Sequence, residues 1–144
     1  MLYKEIYELV KRAHKGQKYG NSPYTFHLVS VSDKVHELFG ADLYTKKIAL
    51  LHDVLEDTSV TEGDLSKMLI PDQVIEAVVL LTKTDSLGYT NYLRNITKNE
   101  RAFKVKVADS YCNLTESIKI GDVKRIRKYS SQIEKLYKIR KEIE

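Results

Sequence analysis

Only two prolines, Pro23 and Pro71, and six glycines punctuate this chain of 144 residues, so few positions can stop a helix once it has begun. Between those breaks apolar side chains recur three and four positions apart, the period of one helix face. No segment alternates convincingly at the strand period, although the short stretch Lys104 to Val107 does so. The expected class is therefore all-α: a compact helical bundle, in one domain spanning residues 1–144. An apolar content of 42% is enough for a core at this size, and no run approaches the roughly 20 apolar residues needed to cross a bilayer. Met1 to Glu5 reads as the start of a helix rather than a secretion signal. Cys112 is the single cysteine, which leaves no disulfide framework and makes a reducing cytoplasm the expected setting.

Caps place the helices. Residues 2–15 form a first amphipathic helix with Ile6, Leu9, Val10 and Ala13 on one face. Gly16 to Asn21 is a loop, and Ser22-Pro23 reads as N-cap plus first helical residue of a second helix closed by Gly40. Asp42 caps a third helix expected to run to Thr58. Thr61 and Asp64 form a capping box for a short fourth, and Pro71 opens a fifth that is apolar nearly all round from Val74 to Leu81. Tyr89 to Ile96 is a short helix, Asn99 caps one from Glu100 to about Ser117, and Gly121-Asp122 opens the last. On that last helix Val123, Ile126, Ile133 and Tyr137 are expected to face inward.

The third helix carries the densest chemistry. Ala49-Leu50-Leu51-His52-Asp53-Val54-Leu55-Glu56-Asp57-Thr58 sets four ionisable residues behind an apolar run. On a continuous helix His52 and Glu56, and likewise Asp53 and Asp57, are one turn apart and share a side. A carboxylate buried without a partner is costly, and a metal ion or several cations relieve that cost. The acidic pair stands at a helix C-terminus, where negative charge is unfavourable, so a mere surface accident is the weaker reading. Two further segments supply companions: His27 early in the second helix beside Tyr24 and Phe26, and Asp109 one turn before Asn113, preceded by Val105-Lys106-Val107-Ala108. Taken together His27, His52, Asp53 and Asp109 make a set of two imidazoles and two carboxylates, suited to Mn²⁺, Fe²⁺ or Zn²⁺ with positions left for water. No cysteine ligand is available for a closed structural zinc site.

The order His … His-Asp … Asp resembles the layout of metal-dependent phosphohydrolases of the HD type. The likeness narrows further. Ala13-His14-x-Gly16-Gln17, Pro23-Tyr24-x-x-His27, His52-Asp53-x-x-Glu56-Asp57-Thr58 and Lys106-x-Ala108-Asp109-x-x-x-Asn113-Leu114 together resemble the hydrolase domain of Rel/SpoT enzymes and the stand-alone small alarmone hydrolases. Tyr89-x-x-Tyr92-Leu93-x-Asn95-Ile96 and Lys128-Tyr129 are similar too, so the resemblance runs from about residue 3 to 137. It implies an HD-domain helical fold and one Mn²⁺ held by His27, His52, Asp53 and Asp109. It also implies Glu56 and Asp57 as the catalytic pair acting on the attacking water, and a purine nucleotide substrate, (p)ppGpp, losing its 3′-pyrophosphate. Substrate contacts are expected from Asn113 and from the loop residues Lys18 and Tyr19. With no synthetase segment in the chain, degradation alone is expected.

Two positions depart from the family pattern. Tyr19 stands where the family usually has Arg, and Leu28 where a Pro commonly follows the first His. Tyr can stack on a purine but brings no fixed charge. Tyr19 therefore keeps open a second reading, an HD hydrolase of another nucleotide phosphate. A third is a non-catalytic nucleotide-binding module. The net charge of +4 is concentrated late, with nine Lys/Arg against four Asp/Glu from Ile118 onward. Nucleic-acid binding is one reading of this and a solvated helix face a simpler one, since no aromatic or glycine-rich interleaving accompanies the charges. Steering of a phosphorylated small molecule is the third. Lys18 alone reads as a solvated loop charge, Cys112 as a small buried residue, and Tyr89 and Tyr92 as core or pocket lining.

Overall fold

A computed structural model describes all of residues 1–144. Helices make up 74% of it: α1 Tyr3–Ala13, α2 Tyr24–Phe39, α3 Leu43–Leu51, α4 Val54–Asp57, α5 Glu62–Lys67, α6 Asp72–Leu81, α7 Tyr89–Thr97, α8 Glu100–Ile120 and α9 Val123–Ile143. The exception to helix is a small antiparallel ribbon between α1 and α2, β1 Lys18–Tyr19 and β2 Ser22–Pro23, in which Tyr19 pairs with Ser22. The structure thus moves Ser22-Pro23 from a helix start into a strand, and Pro23 is the N-cap of α2 rather than its first residue. Pro71 likewise caps α6 from outside. Gly20 takes the left-handed conformation the tight turn needs, at φ +61°.

The capping residues read from the sequence act as expected. Asp42 accepts from the Thr45 amide at 2.8 Å and hydroxyl at 2.7 Å, and also binds Arg101 across the fold. Thr61 and Asp64 cap α5 reciprocally, and Asn99 accepts from the Ala102 amide. Gly121 ends α8 in the left-handed region, with the Asp122 amide returning to the Ser117 carbonyl at 3.0 Å. α8 thus ends at Ile120, three residues beyond the expected end at Ser117.

One cluster of 28 buried apolar residues forms the core. Its centre is α3, whose Ile48, Ala49, Leu50 and Leu51 are wholly buried, with α1, α2, α6 and α8 packed round it. Each such aliphatic side chain contributes about 1.5–3 kcal/mol relative to exposure. The long helix α8 lies against α2, α3, α6, α7 and α9 and so reaches every part of the core.

Two further expectations fail, and both failures lie beside the site. The third helix does not run on to Thr58. It breaks at His52-Asp53, where Asp53 adopts φ −106° and ψ 1°, and restarts as the single turn α4. At the break His52 Nδ1 lies 2.6 Å from the Ala49 carbonyl oxygen, so the imidazole occupies an acceptor at the end of the helical ladder. The last helix also presents a different face. Its buried residues are Gln132, Leu136 and Ile139, while Val123 and Tyr137 are exposed and Ile126 and Ile133 half-buried.

Candidate active site

The break in the third helix turns His52 into the interior and swings Glu56 and Asp57 to the rim of a cavity of about 450 Å³. Around this cavity α2 brings His27, the α3–α4 corner brings His52 and Asp53, α4 brings Glu56 and Asp57, and α8 brings Asp109 and Asn113. Tyr19 reaches in from β1. Of the residues expected from the sequence, Lys18 alone stays outside; it is exposed on the far side of the ribbon's alternation from Tyr19.

His27, His52 and Asp109 are buried, and their ligand-type atoms all lie within 4.8 Å of one another. His27 Nε2 is 2.8 Å from Asp109 Oδ1, and His52 Nε2 is 3.0 Å from Asp53 Oδ2 and 3.4 Å from Asp109 Oδ1. Because the Ala49 carbonyl can only accept, His52 Nδ1 must carry the hydrogen, and in the neutral ring Nε2 is then a lone pair. That buried lone pair makes no hydrogen bond, yet faces two carboxylate oxygens. Three electron-rich atoms converging in this way require a positive charge between them. Two imidazoles and the Asp109 carboxylate at this separation suit a divalent cation, with Asp53 beside His52, and the carbonyl behind His52 fixes the tautomer that a ligand histidine uses.

A proton on His52 can supply that charge, and a bound cation would take its place. Burial by itself would lower the pKa of His52, but Asp53 and Asp109 outweigh it and hold the ring well above its ordinary value. Burial would raise Asp53 and Asp109. His52 beside the first, and Lys106 and His52 beside the second, hold both below the usual carboxylate range. The cluster is thus set up to stay anionic on its carboxylate side and to attract a cation.

Residues to which the sequence assigned no role complete the site. Tyr24 donates its hydroxyl to Asp53 Oδ2 at 2.5 Å, and burial followed by the charge of Asp53 raises its pKa. Lys106 is half-buried, with its ammonium 3.4 Å from Asp109 Oδ2 and near the Tyr92 ring. His14 Nδ1 lies 2.7 Å from Gln17 Oε1, and Gln17 Nε2 reaches Asp57 Oδ2 at 3.4 Å, so the first sequence motif braces the acidic pair. Glu56 is braced too, its Oε1 accepting from the Lys83 amide at 2.7 Å. Lys83, Arg125 and Lys128 also line the cavity, together with Tyr89 and Tyr129. The signal for α9 was present as Arg125, Lys128, Tyr129 and Gln132, spaced i, i+3, i+4, i+7 on one helix face. Lys83, in the connection after α6, carried none.

No protein-family model matches the chain. A guanosine-3′,5′-bis(diphosphate) 3′-pyrophosphohydrolase of Vibrio cholerae is 37% identical over 87 residues, covering 60% of this chain and 12% of that protein. The protein of the same description from Aquifex aeolicus is 33% identical over 117 residues, covering 75% of this chain and 16% of its own length. The bifunctional (p)ppGpp synthase/hydrolase SpoT of Escherichia coli is 29% identical over 123 residues, or 77% of this chain and 17% of that one. The chain therefore spans less than a fifth of these curated relatives. Among solved structures, a metazoan ortholog of SpoT that hydrolyzes ppGpp superposes with a TM-score of 0.72 at 26% identity, covering 94% of this chain and 83% of that one. Sequence and fold together support a Rel/SpoT hydrolase-like HD domain.

Proposed function

We propose that this Rel/SpoT hydrolase-like HD domain is a metal-dependent phosphohydrolase that removes the 3′-pyrophosphate of the guanosine alarmones ppGpp and pppGpp. The observation that carries the reading is the His52 Nε2 aimed at Asp53 and Asp109 in a cavity that Lys83, Arg125 and Lys128 also line. His27, His52, Asp53 and Asp109 would hold one divalent ion, with Mn²⁺ the first choice. When bound, such an ion supplies Lewis acidity toward a phosphoryl oxygen and lowers the pKa of a water. A cytoplasmic setting goes with this proposal.

The chain's own groups account for the remaining steps. Glu56 is pinned through one carboxylate oxygen by the Lys83 amide, which leaves the second to accept the proton of the attacking water. Asp57, held by Gln17, stands beside it to orient that water. Water oxygen bonds to the phosphorus carried on the ribose 3′ oxygen, and the bond between that phosphorus and the ribose breaks. The ribose oxygen leaves with the bonding pair and takes a proton, releasing pyrophosphate. Lys83, Arg125 and Lys128 oppose the remaining phosphates, while Tyr89 and Tyr129 offer aromatic faces to the nucleotide. This assigns two of the late basic residues to steering a small polyanion.

Tyr19 favours a second reading, a hydrolase of another 3′-phosphorylated nucleotide, because its hydroxyl is spent on Asn113 and it brings no fixed charge of its own to the cavity. One panel tests both. Phosphate and pyrophosphate release are followed for ppGpp, pppGpp, nucleoside monophosphates and 3′-phosphorylated coenzymes, with Mn²⁺ and with chelator. Pyrophosphate from ppGpp, abolished by chelator, is the expected result. Phosphate from another member would move the substrate to the second reading. Silence from metal-loaded protein would refute hydrolysis of the whole panel.

A further inference from the structure

Tyr19 makes two contacts that have nothing to do with a nucleotide. Its ring lies almost flat on His27, with centroids 4.4 Å apart and planes at 16°. Its hydroxyl is 2.8 Å from Asn113 Oδ1, on a helix 94 residues further along the chain. Asn113 in turn places Nδ2 3.2 Å from Asp109 Oδ1. These bonds have a single consistent direction. A carboxylate can only accept, so the amide nitrogen of Asn113 must face Asp109. Its oxygen must then face Tyr19, and the Tyr19 hydroxyl must donate. The order of hydrogens from Tyr19 to Asp109 is therefore set by the carboxylate, and the tyrosine hydroxyl is its first donor.

The surroundings hold the tyrosine still. Its backbone is paired with Ser22 in the two-stranded ribbon, and the Gly20 turn packs near Glu116 of α8. A second cavity of about 360 Å³ between α2 and α8 shares Tyr19 and His27 as lining with the active-site cavity.

We propose that Tyr19 is a positioning residue for the metal-type cluster: its ring fixes the plane of His27, and its hydroxyl, through Asn113, fixes the rotation of Asp109. The role rests on the metal site proposed above. It also explains how a tyrosine can stand where related chains usually have arginine without disordering the site. The residue is turned inward, to the ligand-type side chains, rather than toward the substrate's charge.

The test is a double-mutant cycle on the full chain, stripped with chelator, with Mn²⁺ binding read by calorimetry and folding checked by thermal melts. Tyr19→Phe keeps the ring stack and removes the hydroxyl alone, and should weaken Mn²⁺ binding by about three- to tenfold, the range for one hydrogen bond. In an Asn113→Ala background the same change should add nothing, because the path to Asp109 is already cut. A residue that served the fold in general would act equally in both backgrounds. Tyr19→Ala should weaken binding further than Tyr19→Phe, since the His27 stack is lost as well. Unchanged Mn²⁺ affinity in Tyr19→Phe, or an equal loss in both backgrounds, would overturn the proposal. A parent protein that bound no divalent ion would overturn the metal site itself, and this proposal with it.

Discussion

Tyr24→Phe isolates one atom of the site. The Tyr24 ring rests against His14, with centroids 5.0 Å apart, and is tilted on His27 at 5.6 Å; phenylalanine keeps both contacts. What it loses is the 2.5 Å hydroxyl bond to Asp53 Oδ2. A hydrogen bond to an ionised group is worth about 1.5–3 kcal/mol, and Asp53 has no other hydroxyl donor in reach. Taking about 2 kcal/mol and about 2–4 °C per kcal/mol for a chain near this size, the metal-free variant should melt roughly 4–8 °C below the parent. Asp53 is then free to rotate at the edge of the cluster. A partner that orients a ligand residue from behind supports metal affinity by about tenfold or more, so Mn²⁺ binding measured by calorimetry should weaken by about that factor. Melts and titrations on the same two proteins supply both numbers. A variant with the parent's Tm and the parent's Mn²⁺ affinity would refute the reasoning that the tyrosine holds Asp53 in place.

Two further outcomes are expected. Asp42→Ala removes the cap of α3 and the ion pair with Arg101, at a cost of about 1 kcal/mol near neutral pH. Arg101 first, then the Thr45 donors against a smaller burial penalty, hold the Asp42 pKa well below its ordinary value; the parent's advantage should be full above about pH 4 and fade as the pH falls below it, which paired denaturant titrations would record. Arg125→Ala with Lys128→Ala should raise KM for a polyphosphorylated nucleotide and flatten the salt dependence of kcat/KM, while Mn²⁺ affinity stays within about twofold; an unchanged KM would remove these cations from substrate binding.

Most of the helical order was legible because it is written locally. Asp42, Thr61 and Asn99 each cap through their own side chains, and Gly40 and Gly121 each end a helix in the left-handed region that glycine permits. The two-residue strands are too short to carry a period. The break at His52-Asp53 has a tertiary cause, since the imidazole turns inward to meet residues from α2 and α8, and helix propensity in the neighbouring sequence says nothing of that. The wrong face for α9 has the most instructive reason. Where a helix borders a polar cavity, the residues facing inward are Arg125, Lys128, Tyr129 and Gln132, so reading apolar residues as the buried face points away from the site. The cluster of ligand-type residues was legible as a set. Its bracing by Tyr24, Lys106 and Gln17 was not, because each is an ordinary helix or loop residue until the chain folds.

The two sides of the cavity differ in how freely they can change. His27, His52 and Asp109 are as buried as the leucines beside them, so a substitution at any of the three disturbs the core as well as the chemistry. Lys83 and Lys128 stand at the surface, with Arg125 half-buried, where most substitutions shift stability by no more than about 0.5 kcal/mol. Selection can therefore redraw which phosphorylated molecule enters while the chain remains above its folding threshold, and it can redraw the reacting centre only by first supplying spare stability elsewhere. In this architecture the preference for a substrate is the quickly drifting character and the reaction is the slowly drifting one.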